Sequence, residues 1–159
     1  MARRSDVLAG RTRVTGTLRS MTEERVFSGG CLCGRLHYEA RDPIDAGYCH
    51  CRLCQRSSGA PVLAWASFQA AAFAYSAGEP ASYSSSATGR RQFCASCGTQ
   101  IAFCDTRTPT RIDVNIASLD EPAAIEPEYH IWIGSRLPWL HIVDDLPRYP
   151  DDGPDLPTS

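Results

Sequence analysis

Three cysteines lie within the six residues from Cys49 to Cys54. In an extended chain, residues two apart point to the same side, so Cys49 and Cys51 can face one point. A tight turn after Cys51 brings Cys54 back to that point, with the C-x-x-C spacing of zinc half-sites. No fourth ligand is evident nearby. The spacing therefore predicts a metal site with one open coordination position, which is the arrangement of catalytic metal centres.

Two further cysteine pairs predict a second, closed site. Cys31 and Cys33 stand one residue apart between glycines, and Cys94 and Cys97 form a C-x-x-C turn that is followed by Gly98. Four thiolates complete a tetrahedral zinc site, so we predict that these two pairs hold a structural zinc ion. Such a site would clamp together two segments that are distant in sequence.

The eighth cysteine, Cys104, decides whether the trio of Cys49, Cys51 and Cys54 stays open. As a fourth ligand it would close that site, whereas at the end of the apolar stretch Ile101–Cys104 it would pack as a small core residue. The apolar stretch favours the core. Iron–sulfur ligation is an alternative for all of these thiols, but zinc is the commoner metal in C-x-x-C-G turns.

The even cysteine count also allows disulfides, which belong to oxidising compartments. No continuous apolar run of seven or more residues precedes Cys31, as a secretory signal would require. We therefore expect a cytoplasmic protein with reduced, metal-binding cysteines. No apolar stretch is long enough to span a bilayer.

The ligand type indicates thiol chemistry. Three thiolates offset the charge of zinc, so a metal held by the trio should acidify water poorly, whereas hydrolytic zinc sites mostly use neutral histidines. An incoming thiol would be deprotonated, and its thiolate would attack an electrophilic carbon. All 16 basic residues are arginines, which excludes a lysine Schiff base.

Polar and aromatic residues near the trio and near the C-terminus are candidates for substrate contact. Arginines beside the trio could hold the carboxylates of a peptide-like thiol, although surface charge near a turn explains them equally well. Core packing is the alternative for the aromatic residues. The predicted contacts are His50, Arg52, Gln55, Arg56, His130, Trp132 and Trp139.

Short alternating segments between Gly and Pro turns predict a mainly β protein of one domain. Helical turns are expected at residues 55–59 and 68–73. Strand candidates lie at residues 36–40, 61–68, 75–83 with a break at 78–80, 101–104, 112–116, 128–133 and 139–143.

Composition divides the chain into three parts. Residues 1–25 carry six arginines against three acids and predict a disordered extension, with Met21 as an alternative start. Residues 26–150 form the domain, and residues 151–159 a flexible acidic, proline-rich tail. A nucleic-acid-binding arm is the alternative for the extension, but the net charge of −2 argues against a nucleic-acid binder.

These motifs resemble the glutathione-dependent formaldehyde-activating enzyme family over residues 26–150. The segments that carry the resemblance are the Gly-Gly-Cys-x-Cys-Gly of residues 29–34, the Cys-His-Cys-x-x-Cys of 49–54, the Phe-Cys-x-x-Cys-Gly of 93–98, and His130-Ile131-Trp132 with Pro138-Trp139. The resemblance implies several short antiparallel sheets, as in methionine sulfoxide reductase B and Rab exchange factors. It also implies two zinc ions per chain and a carbon–sulfur lyase activity that adds glutathione reversibly to formaldehyde.

Three alternatives stay open beside this activity. A non-catalytic carrier could capture a thiol on the same open zinc. A chromatin role is suggested by centromere protein V, which carries a related domain, and a reductase would need Cys104 as its reactive thiol. The sequence also leaves open whether the protein forms a homodimer.

Overall fold

Two β-sheets pack around the main hydrophobic core in the computed structural model, which describes residues 25–154. The elements in chain order are β1 (Val26–Gly30), β2 (His37–Arg41), β3 (Pro43–Cys49), α1 (Arg52–Ser58), β4 (Leu63–Gln69), β5 (Phe73–Ala77), β6 (Ala81–Ser84), β7 (Gly89–Phe93), β8 (Gln100–Asp105), β9 (Arg111–Asn115) and β10 (Tyr129–Ile131). Short 3₁₀ turns lie at Ala70–Ala72, Ile116–Ser118, Pro122–Ala124 and Ile133–Ser135. The expectation of a mainly β protein is confirmed.

The strands form a three-stranded sheet and a seven-stranded sheet. The small sheet has the order β1-β2-β5, and the large sheet the order β10-β3-β4-β9-β8-β7-β6. Neighbours are antiparallel with one exception, because β10 runs parallel to β3. Parallel neighbours need a long connection, and β4 to β9 all lie between these two strands in the chain. The large sheet is therefore mixed, where only antiparallel pairing was expected.

The core lies between the two sheets. Alternation buries Tyr38 and Ala40 of β2 on one side and Ala66 and Phe68 of β4 on the other, and all four side chains are fully buried. Val114 of β9 joins the same cluster. This alternation is the two-residue period of strands with one buried face.

Helix α1 begins immediately after the second cysteine of the trio. The Cys51 sulfur caps its first turn by accepting a hydrogen bond from the Cys54 amide at 3.3 Å. At the other end, Gly59 adopts a φ of 72° and its N–H donates to the Gln55 carbonyl at 2.9 Å. Glycine tolerates this left-handed conformation, so the helix stops there as the sequence indicates. The helix starts at Arg52, three residues earlier than expected.

Two strand expectations need correction. Residues 75–83 do not form one interrupted strand, because β5 joins the small sheet and β6 the edge of the large one. Residues 139–143 form no strand, although Leu140 and Ile142 are half-buried and their neighbours exposed. Alternating burial shows only that one side of a segment is covered. A strand also requires hydrogen bonds to the backbone of a neighbouring strand. This segment instead runs irregularly along the domain.

Parts of the predicted extension and tail lie outside the described residues. Only Arg25 of the extension predicted over 1–25 is described, and residues 155–159 of the tail predicted over 151–159 are not. Within the described tail, the Asp151 carbonyl accepts a hydrogen bond from the Trp132 amide at 2.9 Å. No helix in residues 25–154 is long and apolar enough to cross a membrane.

Substituting Gly78 should test how tightly the small sheet packs. Its φ is 75°, and a Cβ atom there would collide with the Arg35 carbonyl oxygen and lie 2.8 Å from Leu36 Cδ2. We expect Gly78→Ala to lower the free energy of unfolding by about 2–5 kcal/mol, since left-handed strain adds to overpacking. Urea denaturation measures this change. The matched control is Gly59→Ala, which has the same strain but open space around it and should cost about 1–2 kcal/mol. Equal losses would contradict the steric argument.

Candidate metal centres and substrate groove

The two cysteine pairs of the predicted structural site converge at the ends of two strands. Cys31 and Cys33 follow β1, and Cys94 and Cys97 follow β7. The sulfurs of Cys31 and Cys33 are 3.5 Å apart, those of Cys33 and Cys94 are 3.8 Å apart, and all four lie within 4.8 Å of one another. These separations suit four ligands around one ion. We call this cluster the four-cysteine site.

Local hydrogen bonds hold the sulfurs of the four-cysteine site in place. The Leu36 amide donates to Cys31 Sγ at 3.2 Å. Thr99 Oγ1 accepts from the Leu32 amide at 3.1 Å and so donates its own proton to Cys97 Sγ at 3.2 Å. This hydroxyl, together with the Thr99 amide, lowers the pKa of the Cys97 thiol to about 5. These two hydrogen bonds thus stabilise the thiolate form of Cys97, which is the form that a metal requires.

The trio of Cys49, Cys51 and Cys54 lies at the junction between β3 and α1. Cys49 is the last residue of β3, Cys51 caps the helix and Cys54 lies in its first turn, with their sulfurs within 4.8 Å of one another. Cys49 is buried, while Cys51 and Cys54 are half-buried. In residues 25–154, no fourth Cys, His, Asp or Glu joins this group.

Protons are shared unequally within the trio. The pKa of Cys51 is lowered far below the ordinary thiol value, because the thiols of Cys49 and Cys54 and the Cys54 amide donate to its sulfur. The pKa of Cys49 is raised, since its proton is engaged by Cys51 and Cys54 and the side chain is buried. One thiolate therefore forms readily and can begin metal capture.

Cys104 lies apart from both cysteine clusters. It belongs to β8, pairs with Arg90 of β7 and packs against the main core. Burial raises the pKa of its thiol, as expected for a cysteine that serves as a small core residue. This position leaves the trio without a fourth cysteine ligand.

The donor sets of the two clusters fit zinc. Four sulfurs complete a closed tetrahedral site of the structural kind, and three sulfurs leave one position for a substrate. All eight cysteines are free, and the sulfur separations of 3.5 and 3.8 Å in the four-cysteine site are far longer than the S–S bond of about 2.05 Å. Metal binding therefore explains the clusters better than disulfides do.

A groove along helix α1 gathers four of the predicted substrate residues, and its lining does not include the trio cysteines. Arg52, Gln55 and Arg56 of α1 line a cavity of about 240 Å³ together with Trp139. The other lining residues are Gly59, Ala60, Pro61 and Leu137. Trp139 is 64% exposed, so core packing does not account for it. We call this cavity the substrate groove. Its two lining arginines, Arg52 and Arg56, belong to the helix that also carries Cys54.

Gln55 differs from its neighbours in the groove because its polar atoms are engaged by the protein. The side chain is 5% exposed, and its amide donates to the carbonyls of His50 at 2.7 Å and Ser135 at 3.1 Å. Its carbonyl oxygen accepts from Arg52 Nη1. Gln55 thus ties the helix to the cysteine-bearing turn and to the C-terminal segment.

The predicted residues His50 and His130 form a buried pair on another side of the turn. Their rings stack with centroids 5.2 Å apart, and His50 Nε2 is 2.9 Å from His130 Nδ1. His130 Nε2 contacts the Asp144 carboxylate at 3.0 Å, and Arg148 donates to the same carboxylate at 2.8 Å. Both histidines line a smaller cavity of about 140 Å³ together with Ile133, Arg136, Ile142 and Arg148. The seven predicted contacts are therefore not gathered in a single cavity.

Hydrogen bonding assigns the protons along this chain. A carboxylate only accepts, so His130 Nε2 donates to Asp144; when the His130 ring is neutral, its Nδ1 accepts from His50 Nε2. His50 Nδ1 is then a lone-pair nitrogen, and it is buried without a partner. Burial, and secondarily the nearby His130, lowers the pKa of His50 to about 4, so its ring is neutral at neutral pH.

Trp132, the last of the seven predicted contact residues, is 40% exposed and has a φ of 57°.

The sequence reasoning missed Arg91. This residue lies in β7, is 6% exposed, and places Nη2 3.6 Å from Cys54 Sγ. An arginine just before a C-x-x-C turn is typical of surface charge. The only available signal is strand alternation, which puts Arg91 on the opposite face of β7 from Gln92. Which residues cover that face depends on the register of the strand.

The chain is similar to known proteins in sequence and in fold. The profile of the family described as glutathione-dependent formaldehyde-activating enzyme matches residues 26–135. A crystal structure of a Rhodobacter sphaeroides protein is similar, with a TM-score of 0.51 and 24% sequence identity, over 58% of this chain and 87% of that one. That likeness bears on the fold. Among proteins of curated function, none matches this sequence.

Proposed function

The chain belongs to the family of glutathione-dependent formaldehyde-activating enzymes, and we therefore propose that it is a zinc-dependent carbon–sulfur lyase. It would add a thiol, glutathione or a similar one, reversibly to an aldehyde such as formaldehyde. The observation that carries this proposal is the trio of Cys49, Cys51 and Cys54, which converge without a fourth ligand in the described residues.

The trio would hold the ion, and the four-cysteine site would hold a second one for folding. Zinc at the trio would lower the pKa of an incoming thiol and keep it as a thiolate. In the reaction, the thiolate sulfur bonds to the carbonyl carbon, and the π-electron pair moves to the oxygen. The thiol proton passes to water, and the oxygen takes one proton from water, so the addition releases no net proton. The product is a hydroxymethyl thioether, and the reverse reaction releases the aldehyde.

The substrate groove suits a thiol that carries carboxylates. Glutathione has two carboxylates, and the groove offers two guanidinium groups, on Arg52 and Arg56. Guanidinium groups bind carboxylates through paired hydrogen bonds. Trp139 would cover the peptide backbone of the thiol. Gln55 would act by holding the helix in place, because its polar atoms already have protein partners.

The histidine pair would hold the cysteine-bearing turn rather than bind a metal. The His50 amide donates to the Ile131 carbonyl at 3.0 Å, which joins the residue between two ligands to β10. The ring of His50 is further braced by His130 and, through it, by Asp144. A neutral, buried ring in this position keeps the chain between Cys49 and Cys51 in one conformation.

Replacing Arg56 with Ala should weaken the binding of glutathione specifically. Losing one exposed charge-assisted contact should raise KM for glutathione roughly 3–10-fold, with little change in kcat. Steady-state kinetics should compare glutathione with a small thiol that has no carboxylate, for which KM should stay constant. Arg107→Ala is the matched control, since Arg107 is exposed and pairs with Asp105 at 2.6 Å instead of lining the groove. An equal rise in KM for both thiols would contradict a carboxylate-binding role.

Exchange NMR tests the activity itself. The zinc-loaded protein should increase the rate of exchange between glutathione, formaldehyde and their adduct above the rate measured without protein. Binding of glutathione with no increase in rate would favour the carrier alternative. Hydrolysis of esters or amides without any thiol would overturn the proposal. Since its eight thiols must stay reduced, we also propose that the protein works in a reducing compartment such as the cytoplasm.

A further inference from the structure

Arg91 is a buried cation whose nearest partner is a sulfur of the trio. The residue is 6% exposed, its Nη2 lies 3.6 Å from Cys54 Sγ, and its guanidinium carbon lies 4.9 Å from the centre of the Phe103 ring. Within residues 25–154 no carboxylate forms an ion pair with it. A buried charge without a counter-charge is strongly unfavourable, so an anion beside Arg91 is expected in the working protein.

Unused donors beside the trio support the same conclusion. Arg91 Nε and Nη1 are both buried without a hydrogen-bond partner. So is Nε1 of Trp65, a residue that packs against the cluster containing Cys49, Cys51 and Cys54. A buried donor that stays unsatisfied is unfavourable. These unsatisfied donors agree with a negatively charged centre in this part of the molecule.

The charge of a loaded trio matches this requirement. Three thiolates carry one negative charge more than a divalent ion neutralises, so the loaded centre is an anion. Arg91 has a fixed positive charge and a donor directed at one of the three sulfurs. N–H donors to coordinating sulfurs spread the thiolate charge and stabilise the metal–ligand bonds.

We propose that Arg91 is the counter-cation of the metal-loaded trio and a positioning residue for its ligand Cys54. The guanidinium donates to Cys54 Sγ and offsets the excess negative charge of the centre. The contact with the Phe103 ring holds the guanidinium group in place. This inference rests on the metal-binding part of the proposed function, but it does not depend on which reaction follows.

Zinc release from the holoprotein tests the inference. A chromophoric chelator should remove zinc from wild-type protein in two kinetic classes, and the class that Cys51→Ser eliminates belongs to the trio. In Arg91→Met, that class should bind zinc about 10–100-fold more weakly, which is the usual effect of removing a partner of a metal ligand. The class of the four-cysteine site should be unchanged.

Two further variants make the result specific. Arg91→Lys keeps the charge but loses the forked donor, so its zinc affinity should fall between those of wild type and Arg91→Met. The matched control is Arg90→Met, which removes an exposed arginine one residue away on the same strand and should leave both classes unchanged. Thermal unfolding with and without added zinc provides a second readout, because weaker binding reduces the zinc-dependent part of the stability.

The outcomes separate the two proposals. If wild-type protein shows no trio class of zinc, the proposed function fails together with this inference. If the trio class is present and Arg91→Met leaves its zinc affinity unchanged, only the inference is overturned. Equal losses of zinc from both classes, or equal losses of stability with and without zinc, would also overturn it, since they indicate a general structural role.

Discussion

Replacing Cys94 with Ser is expected to unfold the protein. Cys94 is 3% exposed and its sulfur lies 3.8 Å from that of Cys33, so it joins the turn after β7 to the turn after β1. A serine hydroxyl is a poor zinc ligand. Structural zinc contributes about 10–16 kcal/mol to folding, which equals or exceeds the total stability of a typical domain, about 5–15 kcal/mol. Circular dichroism and the dispersion of amide signals in NMR spectra would report the loss of fold.

The control for this prediction is Cys104→Ser. Cys104 packs against the main core but lies outside both clusters, so the substitution should cost only about 1–3 kcal/mol for a half-buried hydroxyl. The variant should stay folded and keep two zinc ions. Retention of the wild-type fold and melting temperature by Cys94→Ser would show that the four-cysteine site does not stabilise this domain.

Replacing Cys51 with Ser should abolish activity in a folded protein. Cys51 caps α1 by accepting from the Cys54 amide, and serine is among the preferred residues at that position. The helix should therefore begin as before, while the trio loses its central ligand. We expect one zinc ion per chain instead of two, and a fall of more than about 100-fold in the rate of thiol addition to formaldehyde. Metal analysis and exchange NMR on the same sample would measure both.

A second substitution separates capping from ligation. Cys54→Ser removes a ligand but leaves the Cys51 cap, so it should lose the same zinc ion and the same activity. If either variant retained wild-type turnover with one zinc ion, the trio would not be the active site. If both lost two zinc ions, the two clusters would not be independent, and the division into a structural and an open site would be wrong.

The strand β7 joins the two centres physically. It carries Arg91 against Cys54 and leads directly to Cys94 of the four-cysteine site. Loss of the structural ion should therefore disturb the trio as well, because the strand that presents Arg91 is held at its end by Cys94. The reverse effect should be weak, since α1 and the turn before it are held separately by Gln55 and His50.

Sequence alone determined the features that depend on local spacing. Residues two or three apart have few relative positions, so the spacing of Cys49, Cys51 and Cys54 is enough to group them, and the same holds for each flanking pair. The helix stop at Gly59 and the buried alternation of β2 are equally local, because they follow from backbone preference and strand period.

Only the tertiary structure decided which distant groups meet. The order of strands in the large sheet places Arg91 beside Cys54, and the parallel contact of β10 with β3 places His130 beside His50. The irregular segment after β10 brings Trp139 to the arginines of α1. These contacts depend on the pairing of strands far apart in the chain, which local preference does not encode. The cysteines of the centres are thus evident from their spacing, whereas the charge and the surface that serve them are set by the fold.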